Sequence, residues 1–489
     1  MIEFKNFSFR YEESGEQTLK NINLRIGEGE FLLFTGRSGC GKTTLMRSLN
    51  GLIPHFYPGE TDGDLLLDNN SLLKMKPAEL AGKIGTVFQD PRSQFFMTDT
   101  TRELAFGCEN MGYEKAETVR RVEGAVKNLS LESYLNKSIF ALSSGEKQQI
   151  AIGSVYAMSP KVFIFDEPSA NLDYEATKRL AEIMDHLKKK GITVLVVEHR
   201  FFYLKNLIDR AVWIENGTIE KEFTGKEFCG LDENTRVLHG LRTAYPEREI
   251  DLIWKQGERK RERGDKENIS VKNLSFCYEK DKPILSDVCF TANKGDITGI
   301  VGHNGAGKTT LLSIMTGIMK EKSGEIFYGQ KKLSERQRRK LSYLVMQDTD
   351  YQLFGSSVEE ELTLGIKDVQ MDHITNVLES LELLEYKERH PAALSGGQKQ
   401  RVTIGAAIMK ESQIIYFDEP TSGLDYDSML RVSELIKTLA EEGAIIFVVS
   451  HDFEFITRTC TRILDLDGNM QNVPVTEEIL KQLAKKHFN

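Results

Sequence analysis

GRSGCGKTT at residues 36–44 and GHNGAGKTT at residues 302–310 fit the same pattern, G-x-x-x-x-G-K-[ST]. In this pattern the backbone N–H groups of a glycine-rich loop cradle phosphates. Each stretch follows an apolar segment, FLLFTG at 31–36 or ITGIVG at 297–302. That order predicts strand, loop and helix, the context in which such a loop binds a nucleotide. The sequence therefore predicts two phosphate-binding loops in one chain.

The two loops belong to a longer repeat. Three later motifs recur in the same order, each 252 residues further on: LSSGE (142–146) as LSGGQ (394–398), FIFDEP (163–168) as IYFDEP (415–420), and His199 as His451. The later half of each copy therefore aligns without gaps. Two complete sets of motifs in one order indicate two equivalent units that work together.

The hydrophobic pattern predicts the fold class. Apolar segments such as VFIFD (162–166) and VLVVEH (194–199) lie between helical patterns, as in a parallel sheet covered on both faces. Each unit opens on alternating strands, and roughly a hundred residues before LSSGE leave room for helices. We expect an α/β fold of two tandem P-loop nucleotide-binding domains. Each has a mainly parallel sheet core, an antiparallel β subdomain and a helical subdomain.

The repeat also sets the predicted boundaries. Domain 1 spans residues 1–225 and domain 2 spans residues 267–489, with a charged linker at 226–266. The linker ends in KQGERKRERGDKE, which is typical of a solvated segment rather than of a nucleic-acid contact.

Composition narrows the function classes. The 489 residues carry a formal net charge of −9, whereas a nucleic-acid-binding protein is expected to be basic. No stretch approaches the ~20 apolar residues that cross a bilayer. MIEFKNFSFRY begins directly with a strand pattern and lacks the apolar region of a signal peptide. We therefore expect a soluble or peripheral protein with no nucleic-acid partner. The six cysteines form no C-x-x-C pair, so a zinc or iron–sulfur site is not expected.

The phosphate loops indicate an ATP site with Mg²⁺. Lysines 42 and 308 are expected to reach the β- and γ-phosphates, and Thr43 and Thr309 to ligate Mg²⁺ through their hydroxyls. The glycines permit turns that a Cβ would obstruct. The predicted nucleotide-binding set in the loops is Gly36, Gly39, Gly41, Lys42, Thr43, Thr44, Gly302, Gly305, Gly307, Lys308, Thr309 and Thr310.

The acidic pairs indicate hydrolysis. Asp166 and Asp418 end apolar strands, where a carboxylate is costly unless something binds it, and a Mg²⁺ ion supplies that reason. Glu167 and Glu419 follow at once and can orient or deprotonate the attacking water. The alternative is a helix cap, since a proline follows each pair.

Three further pairs recur in both units. His199 and His451 each follow an apolar strand, where a lone histidine is usually structural, but the shared offset favours a catalytic role. The other candidates are Gln89 and Gln347, which can contact the γ-phosphate or Mg²⁺, and Tyr11 and Tyr278, on which a base can stack. Ordinary strand packing is the alternative for the tyrosines.

Phosphate loop, glutamine, LSGGQ, acidic pair and histidine in this order resemble the ATP-binding cassette (ABC) superfamily, over nearly all of the chain outside the linker. The resemblance implies an ATPase whose two cassettes form an intramolecular pseudo-dimer. In that family each LSGGQ loop caps the ATP held by the other cassette. Ser395 and Gly397 would then cap the nucleotide on Lys42, and Ser143 and Gly145 the one on Lys308.

The first cassette departs from the family pattern. Ser144 replaces a glycine, Glu146 replaces a glutamine, and Gln149 stands where the second cassette has Arg401. A negative charge at Glu146, close to the charge of a nucleotide, weakens closure. We expect unequal hydrolysis, with the Lys42 site the stronger.

Segment 87–107, VFQDPRSQFFMTDTTRELAFG, resembles the ATPases of energy-coupling factor (ECF) importers, and so does NGLIPHFYPGE at 50–60. In those ATPases the segment after the glutamine contacts a transmembrane coupling subunit. The corresponding candidates are Gln94, Phe95, Phe96, Gln352, Leu353 and Phe354, with core packing of the helical subdomain as the alternative for the aromatic residues.

The ECF resemblance implies an energy-coupling ATPase at the cytoplasmic face of the membrane. Its partners would be a transmembrane coupling subunit and a substrate-binding membrane subunit that imports a vitamin or metal ion. The substrate would be chosen by another chain. Two alternatives stay open: a soluble two-cassette ABC translation factor associated with ribosomes, and the fused ATPase of a sugar importer, in which one cassette is usually degenerate.

Overall fold

The computed structural model describes residues 1–12, 15–170, 172–251, 268–279, 282–366, 370–468 and 472–488. The chain forms two compact units. Unit 1 comprises Met1–Tyr245 with Asp425–Asp427, and unit 2 comprises Pro246–Leu424 with Ser428–Asn489. The charged run at 255–267, which the sequence predicts to be a solvated linker, lies outside the described residues.

The described strands of unit 1 form two sheets. They are β1 Ile2–Tyr11, β2 Leu19–Ile26, β3 Phe31–Thr35, β4 Gly59–Leu67, β5 Asn70–Ser71, β6 Ile84–Val87, β7 Val162–Asp166, β8 Thr193–Val197, β9 Arg210–Glu215 and β10 Thr218–Thr224. One sheet is antiparallel, in the order β2-β1-β4-β5. The other has the order β10-β9-β3-β8-β7-β6 and is parallel except at β9–β10.

Helices connect and cover these strands. They are α1 Lys42–Leu49, α2 Leu52–His55, α3 Pro77–Ala81, α4 Thr100–Asn110, α5 Lys115–Asn128, α6 Ser144–Ala157, α7 Tyr174–Lys189, α8 Gly225–Cys229 and α9 Glu233–Leu238. Short 3-10 turns lie at Leu72–Lys74, Pro91–Gln94, Glu132–Tyr134, Ile139–Ala141 and Phe202–Leu204. Helices α4, α5 and α6 pack together as the helical subdomain that the sequence predicts between the phosphate loop and LSSGE.

From residue 246 onward the described strands repeat this plan. They are β11 Asn268–Cys277, β12 Pro283–Asn293, β13 Ile297–Val301, β14 Ser323–Tyr328, β15 Lys331–Lys332, β16 Ser342–Val345, β17 Ile414–Asp418, β18 Ile445–Val449, β19 Arg462–Asp465 and β20 Asn472–Pro474. The antiparallel sheet has the order β12-β11-β14-β15. The mainly parallel sheet has the order β16-β17-β18-β13-β19-β20, with β19–β20 antiparallel.

The helices of this part are α10 Lys308–Met315, α11 Glu335–Leu341, α12 Val358–Thr363, α13 Met371–Ser380, α14 Gly396–Met409, α15 Tyr426–Glu441, α16 Phe453–Thr459 and α17 Glu477–Phe488. The 3-10 turns are Pro246–Arg248, Thr349–Tyr351, Leu384–Tyr386 and Pro391–Ala393. The α/β fold predicted for each unit is confirmed.

The central strand β3 shows why its sequence is apolar throughout. Phe31 and Leu33 belong to one hydrophobic core of unit 1, whereas Leu32 and Phe34 belong to the other. Successive side chains of a strand point to opposite faces, so a strand that is covered on both faces has no position for a polar residue. This double burial is the reason that FLLFT reads as a continuous apolar run.

Two segments form ordered structure, one of them rich in glycine and proline and the other inside the predicted linker. The stretch 51–63 contains α2 and the start of β4, because Gly51 adopts a left-handed φ of 75° that begins a second short helix. Residues 226–245, inside the predicted linker, pack on unit 1 through the buried side chains of Phe228, Leu241 and Ala244. Across the part of the chain that the structure describes, we find no helix with the length and apolar character that a membrane span needs.

Phe163→Ala tests the double burial of the sheet. Phe163 lies on β7 with 0% of its surface exposed, so truncation removes apolar contacts and leaves a cavity. We expect the free energy of unfolding to fall by about 3–5 kcal/mol, measured by urea denaturation. Phe140→Ala is the matched control: Phe140 is 79% exposed, so a change of less than about 0.5 kcal/mol is expected. Equal losses in the two variants would contradict the assignment of the core.

Candidate functional site

The parallel sheets bring the predicted residues of each unit to one edge. In unit 1, β3 and β7 both pair with β8 in parallel register, with Phe34 and Asp166 opposite Val197. The phosphate loop follows β3, the acidic pair ends β7, and His199 follows β8. Strands β13, β17 and β18 repeat the arrangement in unit 2. Side chains 100 or more residues apart in sequence therefore meet at one carboxyl-terminal edge.

The phosphate loops depend on glycine geometry. Gly36, Gly39 and Gly41 have φ values of 143°, 80° and 107°, and the corresponding glycines 302, 305 and 307 have 154°, 95° and 93°. A Cβ on Gly36 would lie 2.1 Å from the carbonyl oxygen of Ile214. Left-handed residues turn successive N–H groups inward to form an anion-binding concavity. Both loops have the shape that a phosphate chain requires.

The loop lysines fold back over this concavity. The Nζ of Lys42 donates to the carbonyl oxygens of Gly36 and Arg37, each at 2.8 Å. Lys308 does the same with Gly302 at 2.8 Å and His303 at 2.9 Å. Both lysines start a helix, α1 or α10, whose N-terminal dipole also favours negative charge. Each loop therefore concentrates positive potential at one point.

The predicted base-stacking tyrosines contact the phosphate loops through their hydroxyls. Tyr11 lies 3.1 Å from the hydroxyl of Thr44, and Tyr278 lies 3.2 Å from that of Thr310. The ring of Tyr278 is 63% exposed and available for stacking. The same contact in both units holds each tyrosine at the second threonine of its loop. The stacking of a base on these tyrosines stays a prediction.

The acidic pairs are partly buried, and the backbone of each glutamate is strained. Burial raises the pKa of Asp166 to about 6, and burial together with Asp166 and Glu198 raises the pKa of Glu167 to about 8. Burial also raises the pKa of Asp418. Glu167 and Glu419 have left-handed φ values of 43° and 50°, which a non-glycine residue rarely adopts. Perturbed carboxylates and backbone strain at matching positions are typical of a functional site.

Glutamine, glutamate and histidine meet in unit 1. The Nε2 of Gln89 donates to Glu167 Oε2 at 2.8 Å, and the Nε2 of His199 lies 3.5 Å from Glu167 Oε1. Burial, followed by the charge of Lys42, lowers the pKa of His199 well below its ordinary value. The imidazole is therefore neutral and can donate or accept one hydrogen bond at a γ-phosphate or an attacking water.

Unit 2 has the same dyad with different neighbours. The Nε2 of His451 lies 3.5 Å from Glu419 Oε1 and 3.2 Å from Asn304 Oδ1. The backbone N–H of His451 donates to Glu419 Oε2 at 3.2 Å. Gln347 lies exposed, just after β16. The two candidate sites are alike in their reacting groups and unlike in how the glutamate is held.

The residues present fit a magnesium ion bound with a nucleotide. Thr309 Oγ1 lies 3.5 Å from Asp418 Oδ2, so a hydroxyl and a carboxylate oxygen converge beside the phosphate loop. Mg²⁺ prefers such oxygen ligands and completes its shell with phosphates and water. Among the described residues no group of three His, Cys, Asp or Glu side chains that could hold a metal ion is found. Thr43, Asp166 and Gln89 would hold it in unit 1, and Thr309, Asp418 and Gln347 in unit 2.

The LSSGE and LSGGQ motifs start helices α6 and α14. Ser143 and Ser395 are the N-cap residues, and Glu146 and Gln398 complete the capping boxes. The Glu146 carboxylate accepts the N–H of Ser143 at 2.8 Å. Glutamate thus replaces glutamine without loss of the cap, and its charge lies at the favourable end of the helix dipole. Gly145 packs against α7, where a Cβ would lie 2.6 Å from Ala176, whereas Gly397 has no atom within 4 Å of a Cβ.

The predicted coupling segments divide into internal and exposed residues. Gln94 and Gln352 hydrogen-bond the backbone of their own loops, at Phe88 and Thr86 and at Met346 and Leu344. Both glutamines are partly buried and stabilise their own loops. Phe95 packs against the core of unit 1. By contrast Phe96 is 72% exposed and Phe354 is 77% exposed.

The sequence analysis did not identify the buried carboxylates that hydrogen-bond the backbone of Phe96 and Phe354. Glu103 Oε2 accepts the N–H of Phe96 at 3.0 Å, and Glu361 Oε2 accepts that of Phe354 at 2.7 Å. Both glutamates are buried. It also missed Glu198, which accepts four hydrogen bonds beside His199. The available signal was a charged residue on an otherwise apolar helix face or strand end, where a carboxylate needs partners.

Comparison with known proteins identifies the family. The sequence pattern described as ABC transporter matches residues 19–170 and 285–422. A putative ABC transporter ATP-binding protein of Treponema denticola is 41% identical over 100% of this chain and 98% of that protein. The chain therefore belongs to the ABC transporter family. Its matched domains are those of an ATPase, and the protein is a tandem-cassette ABC ATPase that binds ATP.

Two solved structures are similar in fold. The archaeal ribosome recycling factor aABCE1, in complex with the ribosomal stalk protein aP1, is 25% identical with a TM-score of 0.64, covering 98% of this chain and 92% of that one. The cbiO1 protein of Clostridium perfringens, part of the ABC transporter complex cbiONQ, is 30% identical with a TM-score of 0.43. It covers 48% of this chain and 93% of that one.

Lys42→Ala and Lys308→Ala test the assignment of the phosphate loops. Each change removes the cation from one loop, so we expect the dissociation constant for MgATP at that loop to rise at least about tenfold. Calorimetric titration should then show one tight site in each single variant and none in the double variant. Lys189→Ala on α7 is the control, since this side chain is 74% exposed and pairs with Asp185. Two tight sites in a single variant would contradict the assignment.

Proposed function

We propose that this tandem-cassette ATPase is the energy-coupling subunit of an ECF-type importer. One observation carries the proposal: both units present a solvent-exposed phenylalanine, Phe96 or Phe354, on the segment that follows the glutamine. The sequence of segment 87–107, which resembles that of ECF ATPases, supports the same conclusion. Such a subunit acts with membrane proteins that carry a vitamin or a metal ion.

The exposed phenylalanines are suited to docking because they are rigid. In each unit a buried carboxylate, Glu103 or Glu361, holds two successive backbone N–H groups of the segment, at 3.0 and 2.8 Å or at 2.7 and 2.6 Å. The ring of Phe96 also stacks on Phe106, with centroids 4.7 Å apart. A preorganised aromatic side chain loses little entropy on binding and anchors an apolar partner. The partner surface we propose is a short amphipathic helix of a transmembrane coupling subunit.

Hydrolysis at each unit follows from the dyad geometry. The phosphate loop and its lysine hold the phosphates, with Mg²⁺ held by the threonine and aspartate beside them. Glu167 or Glu419 orients the attacking water and takes its proton, while the histidine 3.5 Å away donates toward the γ-phosphate. By the family resemblance, Ser395 with Gly397 and Ser143 with Gly145 complete the two sites.

Energy coupling then requires two states of the cassettes. A nucleotide that binds the closed state more tightly shifts the equilibrium toward it, and hydrolysis removes that preference. Anchors at Phe96 and Phe354 would transmit the change to the membrane subunits. The peripheral location at the cytoplasmic face of the membrane is part of the proposal.

A ribosome-associated role is the second candidate. The similarity to the archaeal recycling factor aABCE1 extends over 98% of this chain, which favours a shared two-cassette architecture. Its identity of 25% is lower than the 41% shared with the Treponema denticola ABC transporter ATP-binding protein. Affinity purification from detergent-solubilised membranes separates the two: small integral membrane partners support the importer, and ribosomal proteins in their place would overturn it.

Glu167→Gln and Glu419→Gln compare the two sites. Because Glu146 belongs to the motif that would cap the nucleotide on Lys308, we expect the Lys42 site to hydrolyse faster. Glu167→Gln should then lower the steady-state ATPase rate more than Glu419→Gln, by about 10² against less than about tenfold. The measurement is phosphate release by the isolated chain at saturating MgATP. A smaller loss in Glu167→Gln would reverse the ranking.

Phe96→Ala with Phe354→Ala tests the coupling surface. We expect the double variant to keep the ATPase rate of the isolated chain within about twofold, since neither ring touches the dyads. The amount of membrane partner that co-purifies should fall at least about tenfold, because the double variant lacks both aromatic anchors of the interface.

Phe140→Ala is the matched control, because it removes another exposed phenylalanine, on the turn at Ile139–Ala141. Full co-purification of the partners with the double variant would rule out this surface as the docking site.

A further inference from the structure

The segment after β8 differs in chemistry between the two units. Residues 198–203 read EHRFFY, and the corresponding residues 450–455 read SHDFEF. The histidine is shared, but glutamate, arginine, phenylalanine and tyrosine in unit 1 correspond to serine, aspartate, glutamate and phenylalanine in unit 2. All four differences lie within four residues of a catalytic candidate, so they bear on the dyad.

Glu198 is the centre of the unit 1 arrangement. It is 2% exposed, and its Oε1 accepts the backbone N–H groups of His199 at 2.8 Å and Arg200 at 3.1 Å. Its Oε2 accepts the hydroxyl of Tyr203 at 2.9 Å and the N–H of Ser169 at 3.3 Å. Four donors satisfy the buried carboxylate, which is the condition for keeping a charge away from water.

Ser169 connects this carboxylate to the catalytic strand end. It lies two residues after Glu167 and is fully buried. Its N–H binds Glu198, and its carbonyl oxygen accepts the Nη2 of Arg200 at 2.5 Å. The peptide that follows the catalytic glutamate is thus held from both sides by the residues that flank His199.

Tyr203 closes the cluster. Burial, with the neighbouring charge of Glu198, raises the pKa of Tyr203 well above its ordinary value. The phenol therefore stays protonated and remains a donor to the carboxylate. In unit 2 the corresponding Phe455 has no hydroxyl, and the Oγ of Ser450 accepts the N–H of Asp452 at 3.0 Å.

The consequence appears at the catalytic glutamates. In unit 2 the N–H of His451 donates to Glu419 Oε2 at 3.2 Å. In unit 1 the N–H of His199 donates to Glu198 Oε1 instead. The carboxylate of Glu167 accepts a hydrogen bond from the side chain of Gln89. Gln89 lies on the segment that leads to Phe96. In unit 1 the backbone N–H of the histidine thus binds the residue before it, and in unit 2 the backbone N–H of the histidine binds the catalytic glutamate.

We propose that Glu198 is a positioning residue for hydrolysis in unit 1: it takes the backbone N–H groups of His199 and Ser169 and so leaves Glu167 to the side chain of Gln89. Ser450 cannot do this in unit 2, since its side chain is too short to bridge the two segments. The inference rests on ATP hydrolysis at Glu167, one part of the proposed function, and not on import.

The test uses the isolated full chain carrying Glu419→Gln, so that the remaining turnover reports Glu167. Glu198→Ser, which introduces the unit 2 residue, should lower kcat between about tenfold and a hundredfold, as for a misplaced catalytic group. KM for MgATP should stay within about twofold, because the phosphate loop is untouched. Glu198→Gln keeps an acceptor for the His199 N–H and should recover part of the loss. Tyr203→Phe removes one donor of four and should cause a smaller loss in kcat.

The same Glu198→Ser change in a chain carrying Glu167→Gln is the control. There the residual rate belongs to Glu419, and no further loss is expected. An equal loss in both backgrounds, or an unchanged kcat in the Glu419→Gln chain, would overturn the proposal. If Glu198→Ser lowers the thermal midpoint so far that the chain unfolds, Tyr203→Phe decides, and an unchanged kcat there overturns it. Because no membrane subunit takes part, failure of the import proposal leaves these outcomes unaffected.

Discussion

The parallel pairing of three strands in each unit is the constraint on which the rest of the structure depends. Parallel strands end at the same edge of a sheet, so whatever follows them in sequence is brought together there. In unit 1 the phosphate loop, Asp166 with Glu167, and His199 follow β3, β7 and β8. The strands are apolar because both faces are covered. A polar residue at the end of such a strand costs free energy unless something binds it, which indicates a function. The nucleotide site is a direct product of this edge.

The two units share that edge but treat their catalytic glutamates differently. Gln89 donates to Glu167, whereas the His451 backbone donates to Glu419. The asymmetry of the chain therefore lies in the dyads as well as in the LSSGE and LSGGQ motifs.

Much of this site was predictable, because the residues that touch a nucleotide occur in patterns set by chemistry. Lys42, Asp166, Glu167 and His199 were found from their spacing and recurrence alone, and the structure brings the glutamate and histidine to 3.5 Å. Supporting residues carry no such pattern. Glu103 and Glu198 act through backbone N–H groups whose positions depend on the folded chain, so no local sequence rule identifies them. The hydrogen bonds of Gln94 to the carbonyl oxygen of Thr86 and the N–H of Phe88 were likewise not visible in the sequence.

The sequence by itself determined the α/β class, the two phosphate loops and the order of the elements. These features follow from the alternating burial of strand residues, the backbone freedom of glycine and the charge of phosphate. Each of these causes involves only residues that are close together in sequence. Tertiary structure decided which N–H each carboxylate accepts, which phenylalanine of a Phe-Phe pair is buried, and how the two catalytic glutamates differ. Those choices depend on distances between segments far apart in sequence, and only packing sets such distances.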